Sequence, residues 1–536
     1  MHNNSEQRSN LKPEMRILVP ATLVIMAIAL PSIFWPEQSQ KLFASLNNAF
    51  TANTGSLYLW VSFIMVCLSL FFVFSKYGDI KFGKPDEKPE FGNFGWIAMM
   101  FCTGVAGAVM FWSIVEPLWD LAAPPQYAEA MSTSAYEWSL AYVLFHWGPL
   151  TWPWYVITAL PICYMFYKLK KPVLRISAAA EPVLGEKRVN GAWGMGLETF
   201  FVVGLVFSNA AVMGISIPIV NHAIASTLGT EPTKAMELGV IIVSTMIFCC
   251  SLWLGLKKGI QRLSNLNVII ALAMIVFAFI FGPTRFILDT FTNSVGVMLD
   301  NYFKMQFWTD PFTPGRFPQD WTVFYALFMA SYGPVMGLFI ARISRGRTVR
   351  QIISMGVLGG MAGAFMIHGV FGSYTLHVQL NGIVDAVSIL KSSGGQAAMV
   401  AVLKSLPMGV IVLVGYSIFS TIFLATSVDS CALVISTAVT KKLNPSEDPS
   451  RGHRLYWALL QGGLGVSLLM LGGLGSVRVF ANFAGALMVF PIIFAVISWF
   501  KMLKNEAPAT PVETVRVEDR KAATGTADYV LADVKG

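Results

Sequence analysis

The chain of 536 residues is 55% hydrophobic and only 13% charged, with a formal net charge of +8 and a mean hydropathy of +0.60. A soluble protein carries about 25% charged residues, so this composition excludes an ordinary soluble domain and points to a polytopic membrane protein. The Lys and Arg excess lies in short segments between apolar runs, which argues for a membrane rather than nucleic acid as its partner.

Residues 1–16 are polar and basic and read as a cytoplasmic segment. The apolar run after them is long enough to span, which argues against a cleaved signal peptide. Taking roughly 20 apolar residues per helix predicts about twelve spans. They fall at 17–35, 57–75, 94–118, 136–168, 194–220, 238–256, 265–289, 319–343, 352–377, 407–437, 455–473 and 477–500. With the N-terminus inside, the inner loops are 76–93, 168–193, 257–262, 342–350, 441–454 and 501–504, and each is basic. The outer loops 36–56, 119–135 and 221–237 carry only Lys41 and Lys234 between them. Span count and orientation support each other, with both termini cytoplasmic. The outer stretch 291–318 contains an amphipathic segment, SVGVMLDNYFKMQFW, expected as a surface helix. Residues 505–536 mix their charges and read as a disordered cytoplasmic tail. The six cysteines, Cys67, Cys102, Cys163, Cys249, Cys250 and Cys431, lie in apolar runs without ligand spacing. Small buried side chains are expected there, neither disulfides nor metal ligands.

Two spans contain small or helix-breaking residues: TGVAGAV (Thr103 to Val109) in span three and SYGP (Ser331 to Pro334) in span eight. Matched interruptions in two halves of a chain mark transporter sites, where unwound backbone supplies polar groups near the midplane. Close packing through small residues is the alternative for each. Span four carries FHWGPLTWPWY (Phe145 to Tyr155), an aromatic cluster in mid-membrane rather than at an interface. Such a face binds a quaternary ammonium through cation–π attraction without placing a carboxylate in lipid; ordinary aromatic packing is the alternative. In LATSVDS (Leu424 to Ser430) of span ten, Thr426 and Ser427 offer hard oxygen ligands for a small cation if the helix is broken there. Bonding back to their own helix is the alternative. Asp429 is an intramembrane acid and hence a functional candidate. His146, His368 and His377 have no metal-binding spacing, and no catalytic constellation appears, so an enzyme is not expected.

The chain resembles the betaine/choline/carnitine transporter family over nearly its whole length. The most specific match is ARISRGRTVR (Ala341 to Arg350), joined by WTVFY (Trp321 to Tyr325), FHWGPL (Phe145 to Leu150), the Met99 to Gly107 segment and VEP (Val115 to Pro117). The stretch TNSVGVMLDNYFKMQFWTDPF looks closest to the carnitine/γ-butyrobetaine branch. The resemblance implies an all-α, leucine-transporter-like fold of inverted five-helix repeats, residues 94–290 and 319–504, after two peripheral helices within 17–93. It also implies a homotrimer in a bacterial inner membrane, importing a compact trimethylammonium compound by alternating access. No cofactor is implied beyond a coupling sodium ion. The family's aromatic box maps onto Trp119, Trp147, Trp152, Tyr155, Phe328, Met329 and Tyr332, with Glu116 nearby. The sodium site of the coupled members maps onto Cys102, Val105, Phe423, Thr426 and Ser427.

After WTVFY the family pattern is Trp-Ala-Trp-Trp, and this chain has Ala326, Leu327, Phe328 and Met329. A box with fewer strong cation–π partners and more volume is expected. The sodium-independent exchangers of the carnitine branch replace the span-ten hydroxyls with apolar residues and place an arginine in span seven. Here the hydroxyls are present and the span-seven residue is Asn267, which favours sodium coupling over exchange. A sulfonium zwitterion offers a similar methylated cation and stays open as a substrate.

Overall fold

The computed structural model describes residues 12–103, 107–171, 175–254, 256–441 and 449–504. The expected cytoplasmic segment up to Leu11, the tail 505–536, Val105 and the side chains of Cys249 and Cys250 lie outside the described residues. Among the described residues the fold is all-α, with two isolated β-bridges and no strand. Among the described residues nine helices, the kinked Ala386–Lys404 included, are long and apolar enough by length and composition to cross a membrane, or ten if the bent pair Asn265–Phe281 and Thr284–Asp300 counts as one span.

Spans one and two are Met15–Phe34 and Pro36–Phe74. The second corrects the expected loop at 36–56, because helix begins immediately after Trp35 with Pro36 at its first position. Its 39 residues reach about 58 Å, nearly twice the roughly 30 Å of hydrocarbon. Span three is described as Asn93–Thr103 and Gly107–Ala122, with the Gly104–Ala106 part of the expected interruption outside the described residues, and span four is split into Thr133–Trp147 and Trp152–Tyr167. Spans five to seven are Ala192–Leu228, Lys234–Leu254 and Leu256–Phe281. After a bend of 107° the amphipathic segment follows as Thr284–Asp300, starting earlier than expected, with Ile287, Ser294 and Met298 on its buried face.

Span eight opens with a π turn, Pro318–Thr322, and continues as Val323–Ile343; span nine is Val349–Leu380. The break expected at Ser331–Pro334 is absent: the helix runs through Pro334. A neighbouring helix contributes there, since the Ser331 hydroxyl donates to the Phe328 carbonyl at 2.6 Å and accepts from Ser208 of span five at 2.6 Å. Spans ten to twelve are Gly409–Val439, Arg451–Leu471 and Gly473–Leu503. Between spans nine and ten lies Ala386–Lys404, where the sequence pattern predicts no span. Gly394, at φ 88° and ψ 170°, divides it into two arms. Each arm is ~12–15 Å long by helical rise, too short to cross. Cys163 and Cys431 are buried, whereas Cys102 is half-buried and Cys67 exposed, against the expectation of buried side chains.

The signature loop after span eight has a structural task. Arg347 is buried; it donates to the Phe91 carbonyl at 2.9 Å and to Asn93 at 3.1 Å, and its guanidinium lies 4.8 Å from the Trp96 ring. Backbone bonds Phe82–Arg347 (2.9 Å), Gly346–Phe82 (2.7 Å) and Val349–Ile80 (3.0 Å) clasp the segment before span three. Arg345 pairs with Glu87 at 2.6 Å and Arg350 with Asp79 at 2.6 Å.

Spans eight and twelve meet through glycine: a Cβ at Gly485 would lie 2.1 Å from the Leu327 carbonyl oxygen, a backbone atom that cannot step aside. Gly485→Ala is therefore expected to destabilise the bundle by about 1–3 kcal/mol. Gly462→Ala, with nothing within 4 Å, should leave stability equal or slightly higher. Unfolding midpoints of the two variants in detergent micelles check this contrast.

Candidate functional site

The break in span four builds the site. Gly148 ends the first helix at φ −106° and ψ −104°, and Pro149 cannot donate a backbone bond. The carbonyls released by the break are taken locally. The Thr151 hydroxyl donates to His146 O at 2.6 Å, and the Trp152 indole N–H donates to Trp147 O at 3.1 Å. Trp152 thus serves as a cap, which locks its ring. Gly360 of span nine lets that ring approach, since a Cβ there would lie 2.2 Å from it.

Behind the break sits Glu116 of span three, fully buried. It receives His146 Nδ1 at 2.7 Å, Trp147 Nε1 at 3.1 Å and the Tyr325 hydroxyl at 2.5 Å. His146 Nε2 also meets the Thr322 hydroxyl at 3.1 Å. A buried carboxylate is tolerated when such donors surround it. Glu116 therefore joins spans three, four and eight, and is engaged by the protein itself.

The aromatic-box residues form two contact sets, a chain from Trp147 through Trp152 and Tyr155 to Met329 and a pair of Phe328 with Tyr332. Trp152 meets Tyr155 edge-on with ring centroids 5.5 Å apart, and the Tyr155 hydroxyl donates to the Met329 sulfur at 3.3 Å. Phe328 meets Tyr332 edge-on at 5.5 Å, while its own ring stacks on Phe324 at 5.5 Å and 10°. Trp147 lies 5.4 Å from Tyr325 and 4.9 Å from His368. Trp147, Trp152, Tyr155, Phe328 and Met329 are buried, and Tyr332 is half-buried. Trp119, half-buried on the outer side of Glu116, makes no hydrogen bond through its indole N–H.

The expected ion site is placed only in part. Span ten is unbroken through Leu424–Ser430, and the Thr426 hydroxyl donates back to Ile422 O at 2.9 Å and Phe423 O at 3.0 Å. This corrects the expected break, and the local bonding of Thr426 is the reading the geometry bears out. Ser427 and Phe423 are half-buried beside it, and Cys102 is half-buried within Asn93–Thr103 of span three. Asn267 of span seven reaches the same stretch: in the orientation that satisfies its amide, it donates to Phe419 O at 2.9 Å and accepts from Phe423 N at 3.3 Å. Asp429 is bound to Arg454 of span eleven at 2.6 Å, which gives the intramembrane acid a structural partner.

Sequence reasoning missed Tyr325 and His146 as the donors to Glu116, although both stand in quoted motifs. It also missed Asp120, fully buried one turn beyond Glu116 with neither carboxylate oxygen hydrogen-bonded. Its signal was available, as a second acid four residues after the first in an apolar span.

The described residues form an all-helical bundle with a buried aromatic cluster beside a broken helix. A family model for betaine/carnitine/choline transporters matches residues 16–508; the chain belongs to that family and is thus a membrane transporter, not an enzyme. A solved structure described as the substrate-bound outward-open state of a Na+-coupled sialic acid symporter aligns over 84% of this chain and 81% of its own, at 13% identity and a TM-score of 0.40. That likeness assigns neither substrate nor ion to this chain.

Tyr325→Phe removes one donor from the buried Glu116 carboxylate. The expected cost is about 1–3 kcal/mol, read as a lower unfolding midpoint in micelles. An unchanged midpoint would mean that Glu116 does not depend on this hydroxyl.

Proposed function

We propose that the chain is a secondary transporter that imports a quaternary ammonium compound of the carnitine, betaine or choline type by alternating access, coupled to sodium. The observation that carries the reading is the buried cluster of Trp147, Trp152 and Tyr155 on span four, joined to span eight by the Tyr155–Met329 bond and the Trp147–Tyr325 contact, with the Phe328–Tyr332 pair flanking Met329 in span eight. Ring faces attract a methylated cation at about 2 kcal/mol or more each when desolvated. Glu116, with its oxygens already bonded, adds negative potential without offering a free carboxylate. Trp119 closes the outer side.

One face of Phe328 is occupied by Phe324, and Met329 contributes a polarisable sulfur in place of a ring. The cage is therefore weaker toward a compact betaine and suited to a larger member of the class, which agrees with the carnitine/γ-butyrobetaine branch. Sodium would be held by Thr426 and Ser427 with carbonyls of Cys102, Val105 and Phe423, which requires the Thr426 hydroxyl to exchange its helical acceptors for the ion. The neutral Asn267 amide beside Phe419 and Phe423 supports this, because the residue at that position carries no positive charge to stand in for sodium. The protein would sit as a homotrimer in a bacterial inner membrane, with the basic loops and both termini cytoplasmic. Sodium-independent exchange is the second reading, favoured by the unbroken span ten and the locally bonded Thr426.

Uptake into proteoliposomes of labelled L-carnitine, γ-butyrobetaine, glycine betaine and choline, with and without an inward sodium gradient, tests both. Sodium-dependent uptake is expected, and it should vanish in Thr426→Ala/Ser427→Ala. Uptake that needs only preloaded internal substrate would establish exchange. Trp147→Leu should raise the apparent KM roughly tenfold or more, and wild-type uptake in that variant would remove the cage.

A further inference from the structure

Asp120 lies fully buried near the end of span three opposite the basic loops. Trp112, Glu116 and Asp120 follow at intervals of four along one face of that helix. The face looks at the start of span eight, where Trp112 stands edge-on to Trp321 at 6.0 Å and to Tyr325 at 5.9 Å. Arg478, early in span twelve, rests on the same Trp321, with its guanidinium carbon 4.2 Å from that ring and 5.9 Å from Phe324. Spans three and twelve thus bring an acid and a base to one end of the bundle, each within reach of the other's charge.

The two groups are nevertheless unjoined. Among the described residues neither Asp120 oxygen accepts a hydrogen bond, the buried Arg478 Nε donates none, and the only ion pair of Arg478, with Asp320, is 4.0 Å long. Asp120 also stands one turn from Glu116, whose own oxygens are already taken by His146, Trp147 and Tyr325. A buried carboxylate with no donor and a like charge beside it is unfavourable. A guanidinium supplies two parallel N–H groups that match both carboxylate oxygens. Stacking alone holds Arg478 on its rings, so its long side chain is able to leave them.

We propose that Asp120 and Arg478 are the two halves of an outer latch, apart in this conformation and joined as an ion pair across spans three and twelve once the cage is occupied. The latch rests on the reading of the aromatic cluster as the substrate site. Trp119 precedes Asp120 in the chain and belongs to the expected aromatic box, so the joined pair lies on the outer side of the cage. There it holds the bound compound until the opposite end opens. Joining also offsets the repulsion between Asp120 and Glu116.

The test compares wild type, Asp120→Asn, Arg478→Gln and the double variant, each purified as the full-length chain. Each is measured for proteoliposome uptake of labelled L-carnitine, γ-butyrobetaine, glycine betaine and choline, and for dissociation of the bound label in detergent. Asp120→Asn removes a buried charge that has no partner, so its unfolding midpoint should be equal or higher. Its label should dissociate about tenfold faster, with uptake lowered by a similar factor. The double variant should be no more impaired than the worse single one, as for a coupled pair. Where Arg478→Gln does not fold, Arg478→Lys, which keeps the charge and loses the planar fork, takes its place in the comparison. Impairments that multiply in the double variant, or wild-type dissociation in Asp120→Asn, overturn the latch and leave the cage standing. A wild-type chain that moves none of the four compounds removes the cage, and the latch with it.

Discussion

A single buried carboxylate organises the centre of the molecule. Glu116 lies where water does not reach, and it is tolerable only because His146, Trp147 and Tyr325 each give it a hydrogen bond. Those donors come from two other spans, so satisfying one side chain fixes the relative positions of three helices. The aromatic cluster grows outward from this point. Trp147 is aimed by Glu116, its carbonyl holds Trp152, the Trp152 ring sets Tyr155, and the Tyr155 hydroxyl reaches Met329. Each ring inherits its orientation from the one before it.

Much of the architecture was legible because the membrane imposes a length. Apolar runs near 20 residues marked the position of most spans. The polar half of Pro36–Phe74 escaped, since PEQSQKLFASLNNAF looks like a loop when hydrophobicity alone is scored. Ala386–Lys404 escaped for a related reason, with Lys391, Ser392 and Ser393 diluting its apolar residues ahead of the Gly394 hinge. Helix breaks were legible only where nothing compensates. Gly148 and Pro149 together stop span four, whereas Pro334 leaves span eight continuous. The donors of Glu116 lie 30 residues away at His146 and 209 away at Tyr325. Such separations leave no periodic trace in a sequence.

The loss of the span-eight tryptophans also takes on a structural meaning. Phe328 lies in a column with Phe324 rather than standing free, and Met329 is an acceptor for Tyr155. The replacements are integrated into the packing of the cluster. The ring-rich wall belongs to span four, and span eight contributes a softer one, in which a flexible thioether adapts to shape where indole would dictate it.

The clasp between the Phe82 region and the Arg347 loop constrains how the two halves of the chain can move. Spans three and eight are tied at the end bearing the basic loops by three backbone bonds and by a buried arginine that reaches Phe91 and Asn93. Toward the far end the same two spans are joined again, by the Tyr325 hydroxyl on Glu116 and by Trp112 against Trp321 and Tyr325. Fastened at both ends, spans three and eight are constrained to travel together unless one of the two fastenings opens.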